Sequence, residues 1–373
     1  MHSADVIVVG GGMFGSAIAY GLRRRGLDTL ILDGHDDVLR AARGNFGLVW
    51  VQSKGMGLQR YTEWSRESSR LYAGFAEDLN DSAGISISHQ NQGGLQLLLS
   101  DEEAETRRRN IDRMRQQAGP EGFDCDIIDR AAVQKMLPDI RIGKDVVGAS
   151  FCPDDGHVNP LRLLRAMHRG FLRLGGSYRS CCEVTNIGYA HHCFTAETAS
   201  GNFTAPRIVL AAGHGISKLA PMVGLEVPIR PQRGQVLITE RIEARLNLPT
   251  VDVRQTDEGG FQFGTTEEDI GFDDGTTLID TSRIARRAVQ CFPQLASVRL
   301  MRNWGCVRVL TPDKCAIYDE SESHPGAFVA TSHSGVTLAA ANAYRAAAWI
   351  ADGATPPGFE KFSARRFHVP AAT

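Results

Sequence analysis

"DVIVVGGGMFGSAIAYGLRRRGLDTLILD", residues Asp5 to Asp33, compresses an apolar run, a glycine cluster, a helix of small residues and a second apolar run into one unit. Gly10, Gly12 and Gly15 form G-x-G-x-x-G directly after the apolar run Val6 to Val9. The spacing has a mechanism: the first glycine makes a tight turn, the second lets a pyrophosphate approach the backbone, and the third lets helix and strand pack closely. The helix N-terminus then presents free N–H groups to the anion. The second apolar run ends at Asp33, 21 residues after Gly12, where a carboxylate accepts hydrogen bonds from ribose hydroxyls and disfavours a 2′-phosphate. The glycines alone also suit a structural turn. Strand, glycines, helix and acid in register predict that Gly10, Gly12, Met13, Phe14, Gly15 and Asp33 bind an ADP moiety, with FAD and NAD both open.

The chain has 373 residues, 42% hydrophobic and 23% charged, which leaves room for two lobes and argues against disorder. A formal charge of −2 supplies no basic field, so nucleic acid and acidic lipid are not expected partners, whereas small molecules and proteins are. Val6 to Val9 is too short for a signal segment or a membrane span, and acidic Asp5 stands where a basic flank belongs, so the expected location is cytoplasmic. The eight cysteines form no C-x-x-C pair, and adjacent Cys181 and Cys182 suit neither a disulfide framework nor zinc. Adjacent His191 and His192 read as a loop pair, so no metal site is expected.

Helices are predicted over Leu58 to Leu79, Asp101 to Gln117, Pro160 to Leu174 (with Asn159 as N-cap) and Ser282 to Gln290. A hairpin-like piece is predicted at Gly93 to Leu99, and short strands from Cys182 to Ala212 and from Ile229 to Gly264. "RIVLAAGHG" and "AFVATSHSG" repeat the strand-to-glycine junction of the opening stretch. Three such junctions predict one nucleotide lobe assembled from separated segments.

The motifs "GASFCPDDGHVNPLRLLRAM", "IVLAAGHGISKLAPMVG", "VPIRPQRGQVL", "FGTTEEDIGFD", "NWGCVRVLTPDKCAIYD" and "SHSGVTLAAA" follow the fingerprint in order. Through them the chain resembles the D-amino-acid oxidase superfamily, in its glycine oxidase and sarcosine oxidase branch. The resemblance implies FAD as cofactor, in an α/β FAD-binding Rossmann-like lobe (1–85, 150–225 and 310–373). It implies a second, α+β substrate lobe (86–149 and 226–309) whose antiparallel sheet roofs the flavin. It places Arg43, Gly44 and Asn45 against the flavin, Val184 on the adenine side, Ala212 and Gly213 along the dinucleotide, and Gly335, Val336 and Thr337 at the isoalloxazine. A helix N-terminus aimed at flavin N1 and O2 would stabilise the negative charge that arrives with hydride; a plain helix cap is the competing reading of those three residues.

"RGNFGLVWVQSKG", with "CVRVLTPD" and "SHSGVTLA", is more similar to the flavin subunits of opine oxidases, hydroxyproline dehydrogenases and hydrogen cyanide synthase. That resemblance implies a partner subunit, often one carrying an iron–sulfur cluster, for which this chain has no cysteine spacing. Departures are informative. Only Ser334 separates His333 from Gly335, where glycine oxidases carry a longer loop with a substrate-holding Arg, so the pocket is either more open or completed by another chain. Arg308 falls at the Arg of the "G-x-R-P" region, with Val309 replacing the proline, and is the expected carboxylate anchor. Cys306 lies five residues before Thr311, where sarcosine oxidases attach flavin covalently, but its other neighbours differ and a packed thiol is expected. His333 either tunes the flavin edge and a proton path or caps its loop. The implied activity is oxidation of the Cα–N bond of an amino acid or N-substituted amino acid (opine, hydroxyproline or glycine-like) by hydride transfer to FAD. A single-chain oxidase using oxygen, a non-catalytic flavin-binding subunit and a nicotinamide dehydrogenase are the rivals.

Overall fold

The computed structural model describes residues 2–35, 40–243 and 245–368. Its centre is a six-stranded sheet in the order Ile317–Glu320, Ala327–Thr331, Arg207–Leu210, Val6–Val9, Thr29–Leu32, Ser177–Arg179. All neighbours are parallel except the Ile317–Glu320 edge. The three strands that end in the expected glycine junctions are therefore consecutive in space. Parallel strands covered on both faces are apolar without alternation, and Val6–Val9, Thr29–Leu32 and Ala327–Thr331 are buried throughout.

The two faces build separate cores. Val6, Val8, Ile31 and Val209 pack with Ile18 and Leu22 of the helix Met13–Arg24 and with the C-terminal helical segment. Ile7, Val9, Leu30, Leu32, Ile208 and Leu210 face Ile187, Phe194, Ala196 and Phe203 of a smaller sheet. That sheet comprises His2–Ser3, Gly201–Ala205, Cys193–Thr198 and Val184–Ala190. His191 and His192 form its two-residue turn, with φ of +54° and +59°, the left-handed geometry such a hairpin turn requires.

The second lobe has a four-stranded antiparallel sheet, Val253–Gln255, Gly260–Gly264, Arg230–Arg241 and Leu300–Leu310. A three-stranded sheet, Gly94–Leu98, Gly148–Cys152 and Asp126–Asp129, joins it through a shared core that includes Leu95, Leu97, Leu237, Phe261, Phe263 and Phe292. Here the sequence reading is corrected: Gly93 to Leu99 forms no local hairpin, because Gly94–Leu98 pairs antiparallel with the distant Gly148–Cys152. The alternation that buries Leu95 and Leu97 is present, but a side chain pattern does not say which strand supplies the partner.

The helices stand close to their predicted places. The first long one runs Gln59–Ala83 and stops at Gly84 in the left-handed conformation, the usual αL termination. Asn159 caps Pro160–Arg173 by accepting from Arg162 N at 3.1 Å. Leu278–Cys291 covers the predicted Ser282 to Gln290 segment. The chain's eight cysteines are all free thiols, six of them buried.

Candidate functional site

The glycine junctions converge on a cavity of about 600 Å³ between the two lobes. At its floor the three glycines of the opening stretch divide their work. Gly10 sits at φ +105°, and a Cβ there would lie 2.5 Å from Ala211 O of the neighbouring junction. A Cβ on Gly15 would run into Gly10 O. Gly12 is different: its nearest neighbour would be Ala42 Cβ at 3.8 Å, so the backbone faces open cavity. Gly12 is also the N-cap of Met13–Arg24, and neither a side-chain cap nor a first-turn acid covers that N-terminus. Uncovered helix N–H groups beside an open glycine make a cradle for a pyrophosphate.

Asp33 is buried at the end of its strand. Its Oδ1 accepts from Arg40 Nη1 at 2.7 Å and its Oδ2 from Tyr178 OH at 2.9 Å; each oxygen keeps a second lone pair for a further donor. Val184 opens a strand tied to the same corner, since Cys182 N donates to Asp33 O at 2.7 Å. Asp33, Val184, Gly15 and Arg43 stand behind the cavity wall, whereas Gly10, Gly12, Met13, Phe14, Gly44, Asn45, Ala212, Gly213, Gly335, Val336 and Thr337 form part of it. Gly335 packs on the helix start, where a Cβ would lie 2.9 Å from Met13 Cβ. Thr337 Oγ1 accepts from Trp50 N at 3.1 Å and Val336 O accepts from Tyr72 OH, which pins this turn to the opposite wall.

Arg308 and His333, on different elements, both reach the cavity. Arg308 Nη1 donates to Thr266 O at 2.8 Å and Arg233 O at 3.2 Å, and among the described residues it has no ion pair. Burial pulls its guanidinium down from the ordinary arginine range. The contrast is Arg233 on the adjacent strand, buried but paired with Glu268 and Asp273 at 2.6 and 2.8 Å. A desolvated, unneutralised guanidinium is costly unless an anion joins it. Cys306 lies beside Gly44, whose Cβ would be 2.6 Å from its Sγ, and burial pushes the thiol up to about 11. Burial, with Lys54, Arg308 and Lys314 adding to it, holds His333 well below its ordinary value.

Three side chains on this wall escaped the sequence reading: Arg40, Trp50 and Lys54. Lys54 Nζ lies 2.7 Å from Ser334 Oγ and 3.1 Å from His333 Nε2. Nothing in residue type or spacing signals that pairing, because the partners come from opposite ends of the chain. Arg40 Nη2, Trp50 Nε1 and His333 Nδ1 are buried without a partner among the described residues, and unsatisfied buried nitrogens on one wall fit an occupant rich in hydrogen-bond acceptors. Glycine cradle, acid and unsatisfied donors together suit FAD.

The model of the family described as FAD dependent oxidoreductase matches residues 5–349. This chain belongs to that family. It is 39% identical over 369 residues to one of the opine oxidase subunits of Agrobacterium tumefaciens (strain Ach5), covering 99% of both chains. It is 26% identical to the hydrogen cyanide synthase subunit HcnC of Pseudomonas protegens, covering 97% of this chain and 96% of the other. In fold it is similar to glycine oxidase from Geobacillus kaustophilus, with a TM-score of 0.88, 23% identity, and 99% and 100% of the two chains covered. Family membership argues against a nicotinamide dehydrogenase and makes FAD the cofactor of this chain.

Proposed function

We propose that this FAD-dependent oxidoreductase oxidises the Cα–N bond of an amino acid or N-substituted amino acid. The observation that carries the reading is one cavity joining the dinucleotide cradle to the guanidinium of Arg308, which has no ion pair among the described residues. Gly10, Gly12, Met13, Phe14 and Gly15 hold the pyrophosphate, Asp33 the ribose, and Val184 the adenine side. Ala212 and Gly213 run along the dinucleotide, and Gly44, Asn45, Gly335, Val336 and Thr337 border the ring system, with Arg43 behind Gly44. When bound, FAD supplies the hydride acceptor. Arg308 binds the substrate carboxylate through its free N–H groups and so turns Cα–H toward the ring.

The lobes are assigned as 1–85, 150–225 and 310–373 for FAD and 86–149 with 226–309 for substrate, except that the strand Gly148–Cys152, which the 149/150 boundary cuts, goes with the substrate side. Relatives named as an opine oxidase subunit and as glycine oxidase support an N-bearing acid as substrate. The subunit names of the first relatives support a heteromer; in this reading the partner subunit carries an iron–sulfur cluster. The reading keeps a cytoplasmic location; no helix of the described residues is long and apolar enough to cross a membrane. The test is anaerobic addition of amino acids, sarcosine, proline derivatives and opines to the yellow holoprotein. Rapid bleaching by one of these classes supports the reading; a flavin that none of them reduces refutes it.

A further inference from the structure

Lys54 has no part in the roles assigned so far, yet its surroundings are built. Its loop is fixed by buried Asp155, which accepts from the backbone N–H groups of Val51 and Gln52 and from Gln52 Nε2 at 2.6 Å. Thr62 Oγ1 adds a bond to Lys54 O at 2.8 Å. The half-buried side chain lines the cavity with Nζ between Ser334 Oγ and His333 Nε2, and no carboxylate forms an ion pair with it among the described residues. The charged and titratable groups facing it are Cys315, Arg308, Asp155, Lys314 and His333. Burial dominates, opposed by Cys315 and Asp155 and reinforced by Arg308 and Lys314, and brings the ammonium down to about 8.

An amine gives its lone pair to a forming imine only when neutral, whereas free amino acids carry ammonium near neutrality. Arg308 cannot accept that proton. His333 is a poor acceptor among these cations. We propose that neutral Lys54 Nζ takes one proton from the ammonium of the bound substrate before Cα–H leaves, which makes Lys54 a catalytic residue; this rests on the reading of the site as a Cα–N oxidase. One substrate N–H bond breaks, its proton bonds to Nζ, and the electron pair stays on the substrate nitrogen. Nothing is oxidised in this step, and Lys54 later returns the proton to water. The ammonium so formed donates to Ser334 Oγ and His333 Nε2, the two acceptors already in place.

The test compares anaerobic flavin reduction in wild type, Lys54→Met and Lys54→Arg across pH. The wild-type rate is expected to rise with pH through an ionisation near 8. Both variants should fall by at least about tenfold near neutrality and lose that ionisation. Arginine keeps the charge and the donors but takes no proton, so rescue by Lys54→Arg would overturn the assignment. Binding of an α,α-disubstituted amino acid, which has no Cα–H, is read from the flavin spectrum without turnover. It should tighten through the same ionisation in wild type and lose that pH dependence in Lys54→Met; an unchanged dependence in the variant would overturn the assignment. Lys54→Gln replaces Lys54→Met if the latter does not load FAD. If no amine bleaches the wild-type flavin, the functional reading fails. If wild type bleaches and the Lys54 variants keep its pH profile, only the Lys54 assignment fails.

Discussion

Arg308 and Arg233 show how position, rather than residue type, makes an arginine available to substrate. Their strands are paired in register, but Arg233 pairs with Glu268 and Asp273, whereas Arg308 donates to two backbone carbonyls and has no ion pair among the described residues. Arg308→Ala is therefore expected to lower kcat/KM by at least about tenfold with normal flavin content. Arg308→Lys should recover part of that loss, since a point charge replaces the fork. Steady-state kinetics on fully flavinylated protein checks both, and unchanged values would move the anchor elsewhere. Asp33 carries a different expectation. It holds Arg40 and Tyr178 in addition to its assigned ribose contact, so Asp33→Ala should weaken FAD by at least about tenfold and lower the Tm of the holoprotein more than that of the apoprotein. Titration of apoprotein with FAD measures the first, and equal Tm losses in the two forms would contradict the second.

The strand–turn–helix unit of residues 5–24 separates cofactor binding from folding between two glycines. At Gly15 a methyl group collides with Gly10 O, whereas at Gly12 it enters open cavity. Gly15→Ala is expected to destabilise even the apoprotein, by about 1 to 3 kcal/mol as for an overpacked site. Gly12→Ala should leave apoprotein stability within about 0.5 kcal/mol and still weaken FAD by at least about tenfold, because its methyl group occupies the approach of the pyrophosphate. Denaturant melts of both apoproteins, beside FAD titrations, distinguish these outcomes. This unit was legible in full, as were the capped helix behind Asn159 and the turn at His191 and His192, because each is set by contacts within a few residues. The strand Gly94–Leu98 was legible only as an alternation of Leu95 and Leu97. Its partner arrives after two helices and another strand and was misread as local.

The cavity between the lobes is a product of topology, since strands from the beginning, middle and end of the chain lie side by side and deliver their turns to one place. Only Ser334 separates His333 from Gly335 at the cavity, and the two relatives that are 38–39% identical over nearly the whole chain are named as subunits. The protein isolated from its native host is expected to elute as a complex heavier than the 40.6 kDa chain and to carry iron. Light scattering and metal analysis on the same fractions check this. A solitary chain with full turnover on oxygen would favour a self-sufficient oxidase instead.

The sequence by itself determined the dinucleotide fingerprint, the fold class, the family and hence FAD, and it singled out Arg308 and His333, which the structure brings to one cavity. Those features are written in local spacing or in motif order, which survive without coordinates. Only the tertiary structure decided that Arg308 has no ion pair among the described residues, that Asp33 already holds two donors, and that Lys54 meets His333 and Ser334. Each of these depends on which side chains from distant segments share a desolvated space, and burial and pairing there set charge and hydrogen bonding more strongly than residue type does.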